Sequence, residues 1–199
     1  MFTKKTLTVL LVVVLLGITT NVYAWDGQRK GFILGGGLGF GLTSFTQELE
    51  YLGVSDTSDR ENNLALNTDF KIGYAPTNTL AIYYDNKVSW FGITNAIGED
   101  VTIASGLTAL GVTYFFKPDA PSSFVSGGVG VSSWALPLED NPPDPWSGFG
   151  LFVGGGYEFA KHWSTEINLI WGNPSDEESG FKATSNSISL MFTINVLGY

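Results

Sequence analysis

The feature that most constrains this chain is a two-residue alternation of side chains, sustained through eight segments: residues 31–46, 62–75, 79–91, 101–117, 123–134, 147–160, 163–172 and 184–197. In the second segment Leu64, Leu66, Phe70, Ile72 and Tyr74 share one face with Thr68, while Ala65, Asn67, Asp69, Lys71 and Gly73 occupy the other. In the third, Leu80, Ile82, Tyr84, Val88 and Trp90 oppose Ala81, Tyr83, Asp85, Lys87 and Ser89, with Asn86 as the break in the apolar face. The last sets Ile188, Leu190, Phe192, Ile194 and Val196 against Ser187, Ser189, Met191, Thr193 and Asn195. A period of two is the signature of a β-strand, whose successive side chains point to opposite faces. Helical periodicity is almost absent from the rest of the chain.

The connections alternate as well. APTNT (75–79), KPDAPSS (117–123) and AKHW (160–163) are short; the stretches 47–62, 92–100, 135–147 and 172–182 are longer and polar. Eight strands joined by seven connections, long at one end and short at the other, describe an antiparallel up-and-down barrel with both termini at the short end. Alternation alone also fits a soluble secreted barrel, so the polar face has to decide between lipid and water. That face is mostly Gly, Ala, Ser, Thr and Asn with a few isolated charges. Small residues suit a crowded lumen, because a barrel of eight strands is just wide enough for side chains to fill it. The apolar face ends in aromatic residues: Tyr74, Tyr114, Tyr157, Phe159 and Trp163 at the short-turn side, Trp90 and Trp171 at the other. End girdles of this kind mark a lipid-facing surface. Trp134 falls on the wrong parity and reads as a bulge or an early strand end.

Before the first strand, Lys4 and Lys5 precede the apolar run TLTVLLVVVLLGI, and Val22-Tyr23-Ala24 follows. This is the layout of a secretory signal peptide cleaved after Ala24. Residues 25–199 then form one domain, the barrel. Removing both lysines leaves eight of the ten Lys and Arg against nineteen Asp and Glu, a formal charge of −11. Such a balance argues against a nucleic-acid partner, which needs a basic patch. There is no Cys, which excludes disulfides and a lipid-modified cysteine.

The stretch GFILGGGLGFGLTSF (31–45) resembles a phosphate-binding loop at first sight. It lacks the Gly-Lys-Ser/Thr of a P-loop, and no helix follows it as a dinucleotide fingerprint requires. By parity Phe32, Leu34, Gly36, Leu38, Phe40 and Leu42 face lipid, and Gly35, Gly37, Gly39 and Gly41 face the lumen. These glycines leave room either for bulky inward side chains such as Tyr83 and Phe152 or for sharp coiling of the strand.

With GFILGGGLGFG opening the first strand, GVTYFFKP closing the fourth, FVSGGVGVS in the fifth, GGGYEFAKHWSTEINL across the third turn and SISLMFTINV at the end, the chain resembles the small eight-stranded outer-membrane barrels of Gram-negative bacteria, the OmpA/OmpX-type β-barrel family. The resemblance implies location in the outer membrane, contact with lipid bilayer and lipopolysaccharide, and insertion by the barrel assembly machinery. Members of that family end on an aromatic residue in phase with the lipid face. Here Tyr199 is out of phase, so either the strand stops near Val196 or its last residues shift register.

Several residues are candidates for chemistry. A tight turn with Pro76 opposite Leu80 sets Asp69 against Lys87 and Lys71 against Asp85, and opposite charges directly across a ladder attract. Glu158 and Glu166 share the inward parity and are expected to join this lumen network. It reads either as an ion path through a narrow channel or as a polar plug, and the narrow barrel favours the plug. His162, Ser164 and Glu166 in HWSTE superficially match an element of lipid A modifying enzymes, but a histidine in a periplasmic turn is on the wrong side for outer-leaflet chemistry. No catalytic residue, cofactor or metal site is therefore expected. The long connections carry thirteen acids against Arg60 and Lys182; no spacing there matches a calcium loop. EDNPPDPW (139–146), stiffened by three prolines, is a candidate contact surface anchored by Trp146. The expected function is structural or interactive, with enzyme and channel as the alternatives.

Overall fold

The computed structural model describes residues 28–94, 98–139, 142–178 and 180–199. The expected signal segment 1–24 lies outside the described residues, as do Asp140 and Asn141 of the 139–146 stretch. Within them every regular element is a strand: β1 (Gly31–Tyr51), β2 (Val54–Thr57), β3 (Glu61–Thr77), β4 (Leu80–Thr94), β5 (Asp100–Phe115), β6 (Ser122–Ala135), β7 (Trp146–Ala160), β8 (Trp163–Glu178) and β9 (Phe181–Gly198). Apart from β2, they pair with their neighbours in chain order. β1 then pairs back onto β9, from Leu34↔Gly198 to Tyr51↔Phe181. The result is a closed, antiparallel, eight-stranded up-and-down barrel, which leaves no free edge at the level of lipid.

The lipid face is the apolar one. Leu38 and Phe40 are each 65% exposed, and Leu64, Leu66, Leu110, Val129, Phe149 and Leu190 stand out from the same side of the wall. A water-soluble monomer does not expose a continuous apolar belt of this extent, and an outer-membrane-type barrel must. At the long-connection side the indole nitrogens of Trp90 and Trp171 donate to Thr68 Oγ1 and Asn186 Oδ1, both at 3.0 Å. Each ring therefore meets the belt with its one polar group satisfied.

The interior is filled at several levels. Ile33, Ala75, Ala81, Tyr83, Phe115, Phe124 and Tyr199 form an apolar floor at the short-turn end. Leu107, Ala109, Phe152, Ile170 and Met191 make a middle layer. Phe45, Ala65, Phe91, Val101, Ile103 and Trp134 roof the other end. The lumen thus holds more large apolar side chains than the small-residue reading of its face suggests.

The structure corrects the chain's boundaries in three places. Trp134 is neither a bulge nor an early strand end: β6 keeps an unbroken register with both neighbours, and Trp134 is 2% exposed on the lumen side. The 47–62 and 172–182 connections are largely strand, because β1 and β8 run on to Tyr51 and Glu178. Their apolar residues change sides above the belt. Leu42 faces lipid, whereas Leu49 and Tyr51 continue the lumen parity, so a reading that follows the apolar face sees the period break while the ladder continues. The 75–79 turn also differs at its tip. Leu80 pairs with Thr77 rather than Pro76, through a bulge between Tyr74 and Thr77 that leaves the register below it unchanged.

Candidate functional site

β3 and β4 place four charged side chains on adjacent inward positions, with Asp69 opposite Lys87 and Lys71 opposite Asp85. The ion pairs themselves are not simply the direct cross-strand ones. Lys87 Nζ lies 2.8 Å from Asp69 Oδ2 and 3.3 Å from Asp85 Oδ2, its neighbour two residues back. Lys71 Nζ lies 3.1 Å from Asp69 Oδ2 and reaches across the lumen to Glu166 Oε1 on β8 at 2.5 Å. Glu166 Oε2 is 3.8 Å from Lys87, which also stands 5.0 Å from the centroid of Phe152. Five groups, all under a tenth exposed, thus tie one side of the barrel to the other. Buried charges persist where opposite charges pair with them, as around the two lysines here, although neither Asp85 oxygen nor Asp69 Oδ1 accepts a hydrogen bond.

Glu158 does not join this network. It sits near the short-turn end, where Arg29, two residues ahead of β1, donates to its Oε2 from both Nε and Nη2. Arg29 Nη1 also donates to the carbonyls of Asn78, Lys117 and Pro118, and the guanidinium lies 4.0 Å from the Phe115 ring centroid. One side chain therefore binds the β3–β4 turn, the β5–β6 turn and β7. Tyr199 completes the cluster from the other terminus, its hydroxyl donating to Glu158 Oε1 at 2.6 Å. Burial, then the adjacent carboxylate, pushes the Tyr199 phenol up to about 12, so it remains a donor at physiological pH.

Neither alternative for the last strand, an end near Val196 or a register shift, holds. β9 continues to Gly198 without a register shift against β1, and the inward parity of Asn195 and Leu197 carries Tyr199 into the lumen, 2% exposed. The sequence alone did not single out Arg29 as a site residue. An arginine just ahead of the first strand, with an inward glutamate near a short turn, was the available signal.

The residues of HWSTE serve separate partners. His162 occupies the β7–β8 turn at φ 70°, its Nδ1 2.9 Å from the Leu197 carbonyl oxygen and its ring 4.5 Å from that of Tyr199. Ser164 lies opposite Asn195 on the lumen side, and Glu166 is held by the two lysines. Trp146 is not a loop-tip residue: it opens β7 opposite Trp134, half-buried against the upper aromatic roof.

The β1 glycines permit close approach of β9. A Cβ on Gly39 would strike the Phe192 carbonyl oxygen, and one on Gly37 the Asn195 side chain. The large side chains rest elsewhere: Tyr83 over Gly111 and Phe152 over Gly128. The stripe therefore lets β9 backbone approach at Gly39 and Gly41 and gives the Asn195 side chain room at Gly37.

Together the exposed apolar belt, the hydrogen-bonded indoles of Trp90 and Trp171 and the side chains that fill the lumen define a small membrane-spanning β-barrel. In structure the chain is similar to the outer membrane protein OprG from Pseudomonas aeruginosa, at 11% identity over 87% of this chain and 98% of that one, with a TM-score of 0.48. It is also similar to outer membrane protein AlkL, solved by solid-state NMR in DMPC lipid bilayers, at 13% identity over 86% and 92% of the two chains, TM-score 0.47. Ail, the attachment invasion locus protein of Yersinia pestis, matches at 9% identity over 82% and 99%, TM-score 0.40. No family model matches the sequence, and no curated protein matches it.

Proposed function

We propose that this protein is exported to the outer membrane of a Gram-negative bacterium, loses residues 1–24, and acts there as a non-conducting barrel that presents an acidic surface outside the cell. The observation that carries this reading is the filled lumen. Three apolar layers and two sets of ion pairs occupy the interior between Tyr199 and Trp134, and the widest outward extension of the chain lies at the end opposite the termini. A barrel of this kind offers its surroundings an outer wall and an upper rim. The wall meets lipid and the acyl chains of lipopolysaccharide; the rim, with Glu48, Glu50, Asp56, Asp176, Glu177 and Glu178, meets whatever approaches the cell. Assembly by the barrel-inserting machinery and the absence of catalysis belong to the same proposal.

Planar-bilayer recording of the refolded protein tests it. The expected record shows no voltage-dependent steps, and well-resolved unit conductance would sink the closed-barrel reading. Lipid A mass spectra from cells with and without the protein test the non-catalytic part, an altered acyl pattern being the adverse result.

A further inference from the structure

Above the lipid belt β8, β1 and β9 project as a wall, and β2 joins it through Tyr51↔Val54 and Leu49↔Asp56. Because paired residues share a face, the register fixes what that wall presents. On the side continuing the lumen parity, one row across the strands reads Glu178, Phe181, Tyr51, Val54; the next reads Asp176, Ala183, Leu49, Asp56. The opposite side carries Glu48, Glu50, Glu177 and Lys182. The projecting wall is thus an amphipathic sheet, apolar at its centre on one face, with acids at both flanks of that face.

Such a face is ordinarily covered. Here Phe181 is 43% exposed, Leu49 45%, Tyr51 53% and Val54 73%, with the Tyr51 and Phe181 rings 6.3 Å apart between centroids. Lipid does not cover it, because lipid contacts the other parity and at this height that parity is charged. We propose that this face is a docking surface for a basic, amphipathic extended polypeptide segment, which lays alternate apolar side chains on the Leu49–Tyr51–Val54–Phe181 centre and its lysines or arginines against Asp56, Asp176 and Glu178.

Charge selects that occupant over others. The long connections hold thirteen acids and two bases, so a polyanion, or a second copy of the same rim, meets like charge. A purely apolar ligand leaves the acidic flanks unused. An extended segment matches the surface because its side chains alternate with the same period as the rows they would meet. This inference rests on the surface-presenting role proposed above and gives that role a partner class.

The test uses the full mature chain refolded into phosphatidylcholine nanodiscs and a fluorescent peptide of alternating lysine and valine, with empty nanodiscs as the blank. Two controls replace lysine by glutamate or valine by serine. The lysine–valine peptide is expected to bind saturably, and each control about tenfold more weakly, the equivalent of losing one well-buried apolar or charged contact. Tyr51→Ser with Phe181→Ser should weaken binding by about tenfold or more. Asp56→Asn with Glu178→Gln should weaken it and flatten its salt dependence, while Asp119→Asn, exposed in the 117–123 turn at the opposite end of the barrel, leaves it within about twofold. Heat-modifiable gel mobility confirms that each variant is folded. Undiminished binding by the Tyr51/Phe181 variant, or equal binding of the glutamate–valine peptide, overturns the proposal. So does dimerisation of the wild type that the serine pair abolishes, which would make a second copy the occupant. A conducting barrel would defeat the closed-barrel reading and leave these binding results readable; failure of peptide binding by a non-conducting barrel would remove this inference alone.

Discussion

Tyr199, the residue after β9, donates its hydroxyl to Glu158 Oε1 at 2.6 Å, on the same carboxylate whose other oxygen binds Arg29 just ahead of β1. Both ends of the described chain are therefore latched onto one buried glutamate. A closed barrel needs its first and last strands to stay paired, and this cluster fastens them where the seam ends.

Removing the arginine should be the more damaging change at this latch. Arg29→Ala leaves Glu158 buried without its cation and frees three carbonyls, and it should lower unfolding stability by about 3–5 kcal/mol. Tyr199→Phe removes one hydrogen bond to a charged group and should cost about 1.5–3 kcal/mol. Urea unfolding in lipid vesicles checks both, and equal effects would argue that Arg29 is not the principal tie.

The pH dependence follows from the same phenol. Its ionisation moves from the ordinary 10.0 to about 12 in the folded chain. A raised value means its stabilising contribution is whole below the unfolded value and is lost as pH rises through the folded one. The stability difference between wild type and Tyr199→Phe should therefore be constant up to about pH 10 and shrink between about 10 and 12. Unfolding midpoints of the pair measured across that window test this; a difference that fades near neutrality would point to another group.

The lumen network makes a prediction through its shared cation. Lys87 lies near Asp69, Asp85 and Glu166 together, so Lys87→Met should destabilise the barrel by about 3–5 kcal/mol by leaving buried carboxylates uncompensated. Adding Asp85→Asn should recover part of that loss, since it removes one of the stranded charges. A double variant no more stable than Lys87→Met alone would show that Asp85 is not among the groups Lys87 holds.

Position within the glycine stripe should matter more than glycine content. Gly39→Val directs a side chain into the Phe192 backbone and should abolish the folded, heat-modifiable band. Gly36→Val, whose Cβ finds its nearest neighbour at an ordinary 3.5 Å, should fold normally. Equal behaviour of the two variants would refute the inward assignment.

Strand count, antiparallel closure and the central register were legible in the sequence for local reasons. Lipid forces one face of each strand to be apolar over its full crossing, which writes the period into residues such as Leu64 to Tyr74. Opposite charges at Asp69, Lys71, Asp85 and Lys87 favour one turn register over the two-residue shift that would set Asp69 against Asp85. What those charges touch was not legible: Lys71 reaches Glu166 on a strand ninety-five positions away in sequence. Local pattern carries no information about which distant inward side chains meet across a lumen.

The sequence by itself determined an eight-stranded barrel with a lipid face, because solvation by hydrocarbon acts on each residue separately and leaves its record along every strand. Only the tertiary structure decided that Trp134 roofs the lumen, that Glu158 belongs to Arg29 and Tyr199 rather than to the lysines, and that Tyr199 turns inward. It alone also disclosed that β1, β2 and β9 carry an apolar face above the lipid belt, flanked by acids of β8 and β2. Those outcomes depend on closure, which brings the first strand beside the last and sets residues from opposite walls within hydrogen-bonding distance.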